Sequence, residues 1–321
     1  LAVIGAGRFC TLLAAIAVVV APALAPALAA AQKLYKYRGA DGVWVYTDRR
    51  PPPDRSYEKL TLAEHEEQPA VRLYRQTTAD GDVLLFAQNT FYSPVQIAFE
   101  LTQMDNLAPD VPKRGVTVLS ARSNKQLLTL RRNDTARPMS LSYEFAYLLG
   151  DPKARHDPPM PYRLPFALAT RFKVSQAFPD QVTHNDPSSR YAIDFAMPIG
   201  TGVYAARAGT VVQVASDYYE AGLDPIVDGP RANIVRVLHD DGTMSLYAHL
   251  NWNSIRVVPG QRIARGEYLA DSGNTGFTTG PHLHFVVQRN RNGTMVSVPV
   301  QFAGPAGNPI TVATGDDPEA Y

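Results

Sequence analysis

The chain has 321 residues, 45% of them hydrophobic and 19% charged, with 31 basic and 30 acidic side chains and a formal net charge of +1. Basic residues are scattered, as in "LRRNDTAR", so the concentrated positive stripe of a nucleic-acid surface is missing and nucleic acid is excluded as a partner. The length predicts two or three compact units, and the single cysteine, Cys10, lies in an N-terminal apolar run, which leaves neither a disulfide framework nor a thiol nucleophile for the rest.

Residues 1–31 come first in chain order. "FCTLLAAIAVVVAPALAPALAAAQ" is an apolar run followed by alanine-rich sequence with small residues at A-x-A spacing, the pattern of a secretory signal peptide. Pro22 and Pro26, with small-residue sites near Ala29 and Ala31, favour cleavage over a retained anchor, so no stable membrane insertion is expected after it. The expected destination is the periplasm or the outside of the cell. Residues 32–62, which contain "KLYKYRGADGVWVYTDRRPPP", predict a small hairpin domain: two aromatic-rich strands about an Asp41-Gly42 turn, closed by a proline run. This stretch resembles a small domain of unknown function found behind signal peptides in proteobacterial envelope proteins, which implies a location more than a chemistry.

Residues 68–150 alternate short β segments with turn residues: "VRLYRQTT", "DVLLFAQN", "VQIAFELTQ", "GVTVLSAR", "QLLTLR" and "LSYEFAYLL". That rhythm predicts a small antiparallel sandwich, separate from the C-terminal block and without a catalytic grouping. Residues 151–165, "DPKARHDPPMPYRLP", are rich in Pro and polar residues and read as a linker. Residues 166–314 again read as strands and glycine turns with little 3.6-residue apolar period, so the whole chain is expected to be all-β. Residues 315–321 are expected to form a loose tail.

The chemistry concentrates in the 166–314 block. In "GNTGFTTGPHLHFVV", residues 273–287, His282 and His284 flank one leucine at the start of a predicted strand. Residues two apart in a strand share a face, so both imidazoles project together while Leu283, Phe285 and Val287 pack on the other side. The same spacing also fits a solvent-facing pair at a strand end. "NIVRVLHDDGTMSLYAHL" predicts a hairpin in which Met244, Leu246, Ala248 and Leu250 form the packing set and Ser245, Tyr247 and His249 the opposite face. His239, beside the turn, reads as exposed or structural. In "THNDPSSRYAIDFAMPIG", Ile193 and Phe195 are expected to pack inward and Asp194 to point the other way, where a buried carboxylate needs a partner. His184, upstream across a polar loop, is a candidate to share one cation with it.

"HNDPSSRYAIDFAMPIGTGVYAARAGTVV", "LYAHL", "VVPGQRIARGEYLA" and "GNTGFTTGPHLHF" together resemble the lysostaphin-type (LytM-like) zinc metalloendopeptidases, which cut peptide crosslinks or stems of bacterial peptidoglycan. The resemblance covers nearly all of the last 150 residues and implies an antiparallel β-sheet peptidase domain acting on a peptidoglycan peptide. Carried over position by position, it implies that His184, Asp194 and His284 bind Zn2+ and that His249 and His282 are the catalytic pair. Many such proteins keep a shorter interval between the first histidine and the aspartate, and Asp186 is therefore an alternative ligand to His184. Tyr247, Asn274 and Arg207 are candidates for substrate contact, Tyr247 equally for ordinary packing. The competing expectation is a catalytically inactive relative that activates a separate cell-wall amidase; such relatives typically lose ligands or histidines, whereas every position is filled here.

Overall fold

The computed structural model describes residues 33–38, 44–47, 56–61, 70–180 and 182–321. The signal-peptide segment and the Asp41-Gly42 turn lie outside the described residues. Strands β1 (Lys33–Arg38), β2 (Trp44–Thr47) and β3 (Tyr57–Thr61) form an antiparallel sheet in the order β2-β1-β3, a unit in itself. The expected hairpin is the β1–β2 pair, with Arg38 opposite Trp44, and β3 adds a strand beyond that expectation.

All six strands expected in the next segment are present: β4 (Val71–Thr77), β5 (Val83–Asn89), β6 (Val95–Asp105), β7 (Arg114–Leu119), β8 (Ser123–Leu130) and β9 (Ser140–Leu149). They make two three-stranded antiparallel sheets, β4-β5-β8 and β7-β6-β9. Alternation decides the packing: Leu85 and Ala87 of one sheet and Val95, Ile97, Phe99 and Leu101 of the other are buried in a shared core. That core also contains Val212 and Met244 from the C-terminal sheet. The sandwich is therefore not free-standing; from residue 70 onwards the described chain is one compact unit.

The remaining strands are β10 (Val174–Gln176), β11 (Ile193–Phe195), β12 (Gly202–Tyr204), β13 (Gly209–Ala215), β14 (Ala221–Gly222), β15 (Ile234–Leu238), β16 (Met244–Ala248), β17 (Arg262–Ile263), β18 (Tyr268–Asp271), β19 (Gly276–Phe277), β20 (Leu283–Arg291), β21 (Thr294–Val298), β22 (Phe302–Ala303) and β23 (Pro309–Ile310). Seven of them run β10-β11-β20-β16-β15-β13-β17 in one antiparallel sheet, and β21 pairs with the far half of β20. Two short 3-10 turns are the only helical elements among the described residues, and no helix there is long and apolar enough to cross a membrane. One face of the sheet carries Val174, Phe195, Val235, Val237, Tyr247, Leu283, Phe285 and Val287 into the main core.

Two segment boundaries differ from expectation. Residues 151–165 are not a free linker: Tyr162 and Leu164 are fully buried in the main core, and main-chain bonds tie Tyr162 to Gln301 and Arg163 to Ala206. Their apolar side chains outweigh the prolines that made the stretch read as loose. The tail is docked as well. Ala320 is buried, its amide donates to Thr170 O, and Glu319 pairs with Arg171.

Candidate metal centre and its histidine pair

Register across three strands assembles the centre. Asp194 in β11 sits opposite His284 in β20, which sits opposite Ala248 in β16, which sits opposite Ile234 in β15. Directly paired residues share a face. The adjacent row, Ile193, Phe285, Tyr247 and Val235, faces the core. Burial of these apolar side chains is what turns Asp194 and His284 together onto the opposite face.

His184 reaches the same place from a loop. Residues 185–193 separate it from Asp194, and the loop is pinned along its length. Asp186 accepts the Ser188 amide and the hydroxyls of Ser188 and Ser189, Ser297 N donates to Pro187 O, and Gln288 Nε2 donates to Ser188 O at 2.8 Å. The carboxylate of Asp186 is thus engaged in its own turn and stands outside the group that converges on Asp194.

His184 Nε2 lies 3.2 Å from Asp194 Oδ2, and His284 Nδ1 lies 2.9 Å from Asp194 Oδ1. One donor atom from each residue falls within 4.8 Å of the others, a group that could hold a metal ion. Burial works against the Asp194 charge, yet the imidazoles of His184 and His284 at its oxygens hold the carboxyl well below the usual carboxylate range. His184 is only 3% exposed, and its approach to the carboxylate lacks hydrogen-bond alignment, so both of its ring nitrogens are sealed without a hydrogen-bond partner. An unsatisfied buried polar group costs about 1–3 kcal/mol, and a cation shared with Asp194 and His284 would relieve it. Two imidazoles and one carboxylate are also a donor set that catalytic zinc sites use, so the residues fit the metal.

The other two histidines stand beside this group as a pair. The rings of His249 and His282 are 4.6 Å apart between centroids, and His249 is 5.8 Å from His284. His249 Nδ1 lies 2.7 Å from Thr275 O, and His282 Nδ1 lies 2.8 Å from Gly280 O. A carbonyl only accepts, so in both rings Nδ1 carries the proton and Nε2 is left free. His282 Nε2 is 3.8 Å from Asp194 Oδ1, which sets the free nitrogen over the metal-binding group. Burial, reinforced by the charges of His282 and His284, pushes His249 down to about 3.

Three further residues of the centre were not singled out from the sequence: Thr275 and Gly280, whose carbonyls orient the rings, and Thr278. Thr278 Oγ1 lies 2.8 Å from Gly280 O, 3.1 Å from Asn274 Oδ1 and 3.3 Å from His282 Nδ1. The available signal was the density of Gly and Thr in "GNTGFTTG" just ahead of the two histidines. Gly276 has φ of +81°, and a Cβ there would come 2.7 Å from Ala232, so the loop that carries the Thr275 carbonyl requires glycine at this point.

The weaker substrate candidates fare differently. Tyr247 is fully buried beside Phe285, and its hydroxyl accepts the Ala206 amide at 2.7 Å, so it is a packing residue. It was expected to share a face with His249, but His249 has φ of +61°, which breaks the strand alternation immediately after Ala248. Met244, Leu246 and Ala248 line the face that carries the centre, because Ala248 pairs directly with His284. Arg207 is also no part of it: its guanidinium pairs with Asp241 at 2.6 Å and donates to Tyr162 Oη. Asn274 is linked to His282 through Thr278, by two hydrogen bonds in series. His239 is structural, 2% exposed, with Nδ1 on Ala208 O.

A β-sheet that gathers two imidazoles and a carboxylate able to hold a metal ion beside two further imidazoles with free Nε2 atoms is an arrangement that metal-dependent hydrolases use. Residues 188–297 match the model of peptidase family M23, and the chain carries a peptidase domain of that family. The match begins after His184, which the fold nevertheless brings to Asp194. Residues 22–71 match a second model, a domain of unknown function (DUF4124). Peptidoglycan DD-endopeptidase ShyA of Vibrio cholerae is 39% identical over 146 residues, 44% of this chain and 31% of the relative. Glycyl-glycine endopeptidase ALE-1 of Staphylococcus capitis is 33% identical over 98 residues, 30% of this chain and 24% of the relative. The chain thus spans less than a third of the length of either relative. The lysostaphin catalytic domain of Staphylococcus simulans aligns at 26% identity over 40% of this chain and 88% of that one, with a TM-score of 0.29.

Proposed function

We propose that the protein is a zinc-dependent endopeptidase that hydrolyses peptide bonds in peptidoglycan crosslinks or stem peptides, in the periplasm or outside the cell. The observation that carries this reading is the convergence of five side chains from separate segments: His184, Asp194 and His284 about one point, with His249 and His282 beside it, each tied through Nδ1 to a backbone carbonyl. Zinc bound by the first three would acidify a water molecule and polarise the scissile carbonyl.

The chain's own residues do the rest. His284 Nδ1 holds one oxygen of the Asp194 carboxylate, and His184 Nε2 stands 3.2 Å from the other with no hydrogen-bond partner of its own, so the three donors are gathered before substrate arrives. His249 and His282 present Nε2 as the one ring atom free to exchange a proton. One of them takes the proton of the attacking water at Nε2 and, having become a donor, steadies the negative oxygen of the tetrahedral stage and passes that proton to the leaving amine; the other accepts a hydrogen bond from the water at its free Nε2 and orients it. The backbone carbonyl on the ring that takes the proton, Thr275 O or Gly280 O, binds it more strongly as that ring becomes positive, which keeps it aligned through the proton transfer. An inactive amidase activator would not need both rings so oriented.

Two measurements test this reading. Purified sacculi are digested with the zinc-loaded protein, with the chelated protein, and with the chelated protein resupplied with zinc, followed by mass analysis of released peptides; soluble peptides are expected in the first and third only. His282→Ala is expected to abolish release while zinc stays bound at one equivalent. Release by chelated protein, or undiminished release by His282→Ala, would overturn the mechanism.

A further inference from the structure

The sheet face that carries the metal-binding group also carries an arginine that this chemistry does not use. Arg236, in β15, lies opposite Leu246, which lies opposite Val286. Its row falls between the row of the centre, Ile234, Ala248 and His284, and the row of Leu238 and Met244, where the β4–β9 sandwich packs down. At ordinary strand spacing and rise, Arg236 is roughly 12 Å from His284 along that face.

Its surroundings are unusual for a cation. Nη1 donates to Gln288 Oε1 at 2.5 Å and Nε to Gln213 Oε1 at 3.3 Å, both neutral amides. Gln288 is itself fixed by its bond to Ser188 O in the loop between His184 and Asp194. Among the described residues no carboxylate forms an ion pair with Arg236, whereas Arg137, Arg171, Arg207 and Arg262 each have one. Burial pulls the guanidinium down to about 10, with no opposing charge to restore it. Among the described residues Nη2 has no hydrogen-bond partner, and it is not among the polar atoms sealed from solvent.

A guanidinium held rigid on two sides, short of counter-charge and with one amino group open, is preorganised for an incoming anion. We propose that Arg236 binds a free carboxylate of the peptide substrate, three to four residues from the bond that is cut. That span follows from the roughly 12 Å separation at about 3.3–3.6 Å per extended residue. A peptide laid across the face from the histidines toward the sandwich would bring such a carboxylate onto Nη2, so Arg236 would select acidic stem peptides over amidated or neutral ones. This rests on the endopeptidase reading for its choice of ligand, while its test reads binding alone.

The test uses the full chain carrying His282→Ala, so that bound peptide is not cut, and two labelled synthetic peptides of one sequence. One peptide has a free carboxylate three residues from the scissile bond, and the other has a carboxamide there. Fluorescence anisotropy gives the two Kd values. The carboxylate peptide is expected to bind at least about tenfold more tightly, as a lost charge-assisted hydrogen bond implies. Adding Arg236→Gln should bring the ratio close to one. Equal affinities in His282→Ala, or a preference that survives Arg236→Gln, would overturn the proposal. Should Arg236→Gln fail to fold, Arg236→Lys decides: the ratio must fall at least about threefold because the planar fork is lost, and an unchanged ratio counts against it. Carboxylate preference without release from sacculi would leave this site standing and remove the endopeptidase; release without preference would do the reverse.

Discussion

Replacing Tyr247 with phenylalanine separates packing from catalysis in this domain. The Tyr247 hydroxyl accepts the Ala206 amide at 2.7 Å, and both residues are fully buried. Phenylalanine keeps the ring and its contact with Phe285 but leaves the Ala206 N–H without an acceptor in a place water does not reach. Such a loss costs about 1–3 kcal/mol. For a unit of this size each kcal/mol lowers Tm by about 2–4 °C, so a drop of roughly 2–12 °C is expected. The measurement is thermal unfolding followed by circular dichroism, with hydrolysis of sacculi assayed well below the transition. Among the described residues no hydrogen bond or ring contact joins Tyr247 to the histidine pair, so kcat/KM should stay within about twofold. An unchanged Tm together with a large loss of hydrolysis would refute the packing assignment and return Tyr247 to the substrate.

His184→Ala is expected to reduce bound zinc below one equivalent under dialysis, read by metal analysis, with the fold retained because the 186–191 loop is pinned independently; full zinc occupancy would exclude His184 as a ligand. Asp241 is held down to about 2: burial opposes its charge, but Arg207 and Thr243 more than compensate. A depressed carboxyl stabilises the fold above its unfolded value near 4 and loses that contribution as pH falls through 2, so Asp241→Asn should lower stability by about 2 kcal/mol at pH 7. The difference from wild type in urea unfolding should shrink between about pH 4 and pH 2, and a constant gap would contradict the ion-pair account. Gly276→Ala places a Cβ against Ala232 at a left-handed φ, shifting the Thr275 carbonyl that orients His249. It should cut kcat more than tenfold with zinc still bound, measured by peptide hydrolysis alongside metal analysis; unchanged kcat would show that the carbonyl is dispensable.

Sequence by itself determined the strands and which side chains meet at the candidate centre. Period-2 alternation placed all six sandwich strands, and the Leu283, Phe285, Val287 series fixed which face His284 takes, because an apolar series buried on one side leaves the polar set no other side. The family resemblance of its motifs implied His184, Asp194, His249, His282 and His284 as the site, and the fold brings all five to one place. Only the tertiary structure decided what depends on exceptions to alternation and on distant partners. The left-handed backbone at His249 separates it from Tyr247, a reversal invisible to a two-residue period. Asp186 is engaged by the serines of its own turn, and Arg207 by Asp241, so neither is at the centre. The 151–165 segment and the tail look loose in composition but are docked, since burial depends on which surface the folded chain offers them and not on their own residues alone. Ring orientation is the last such case, for it is set by the carbonyls of Thr275 and Gly280, groups that every residue has and that only the fold can aim.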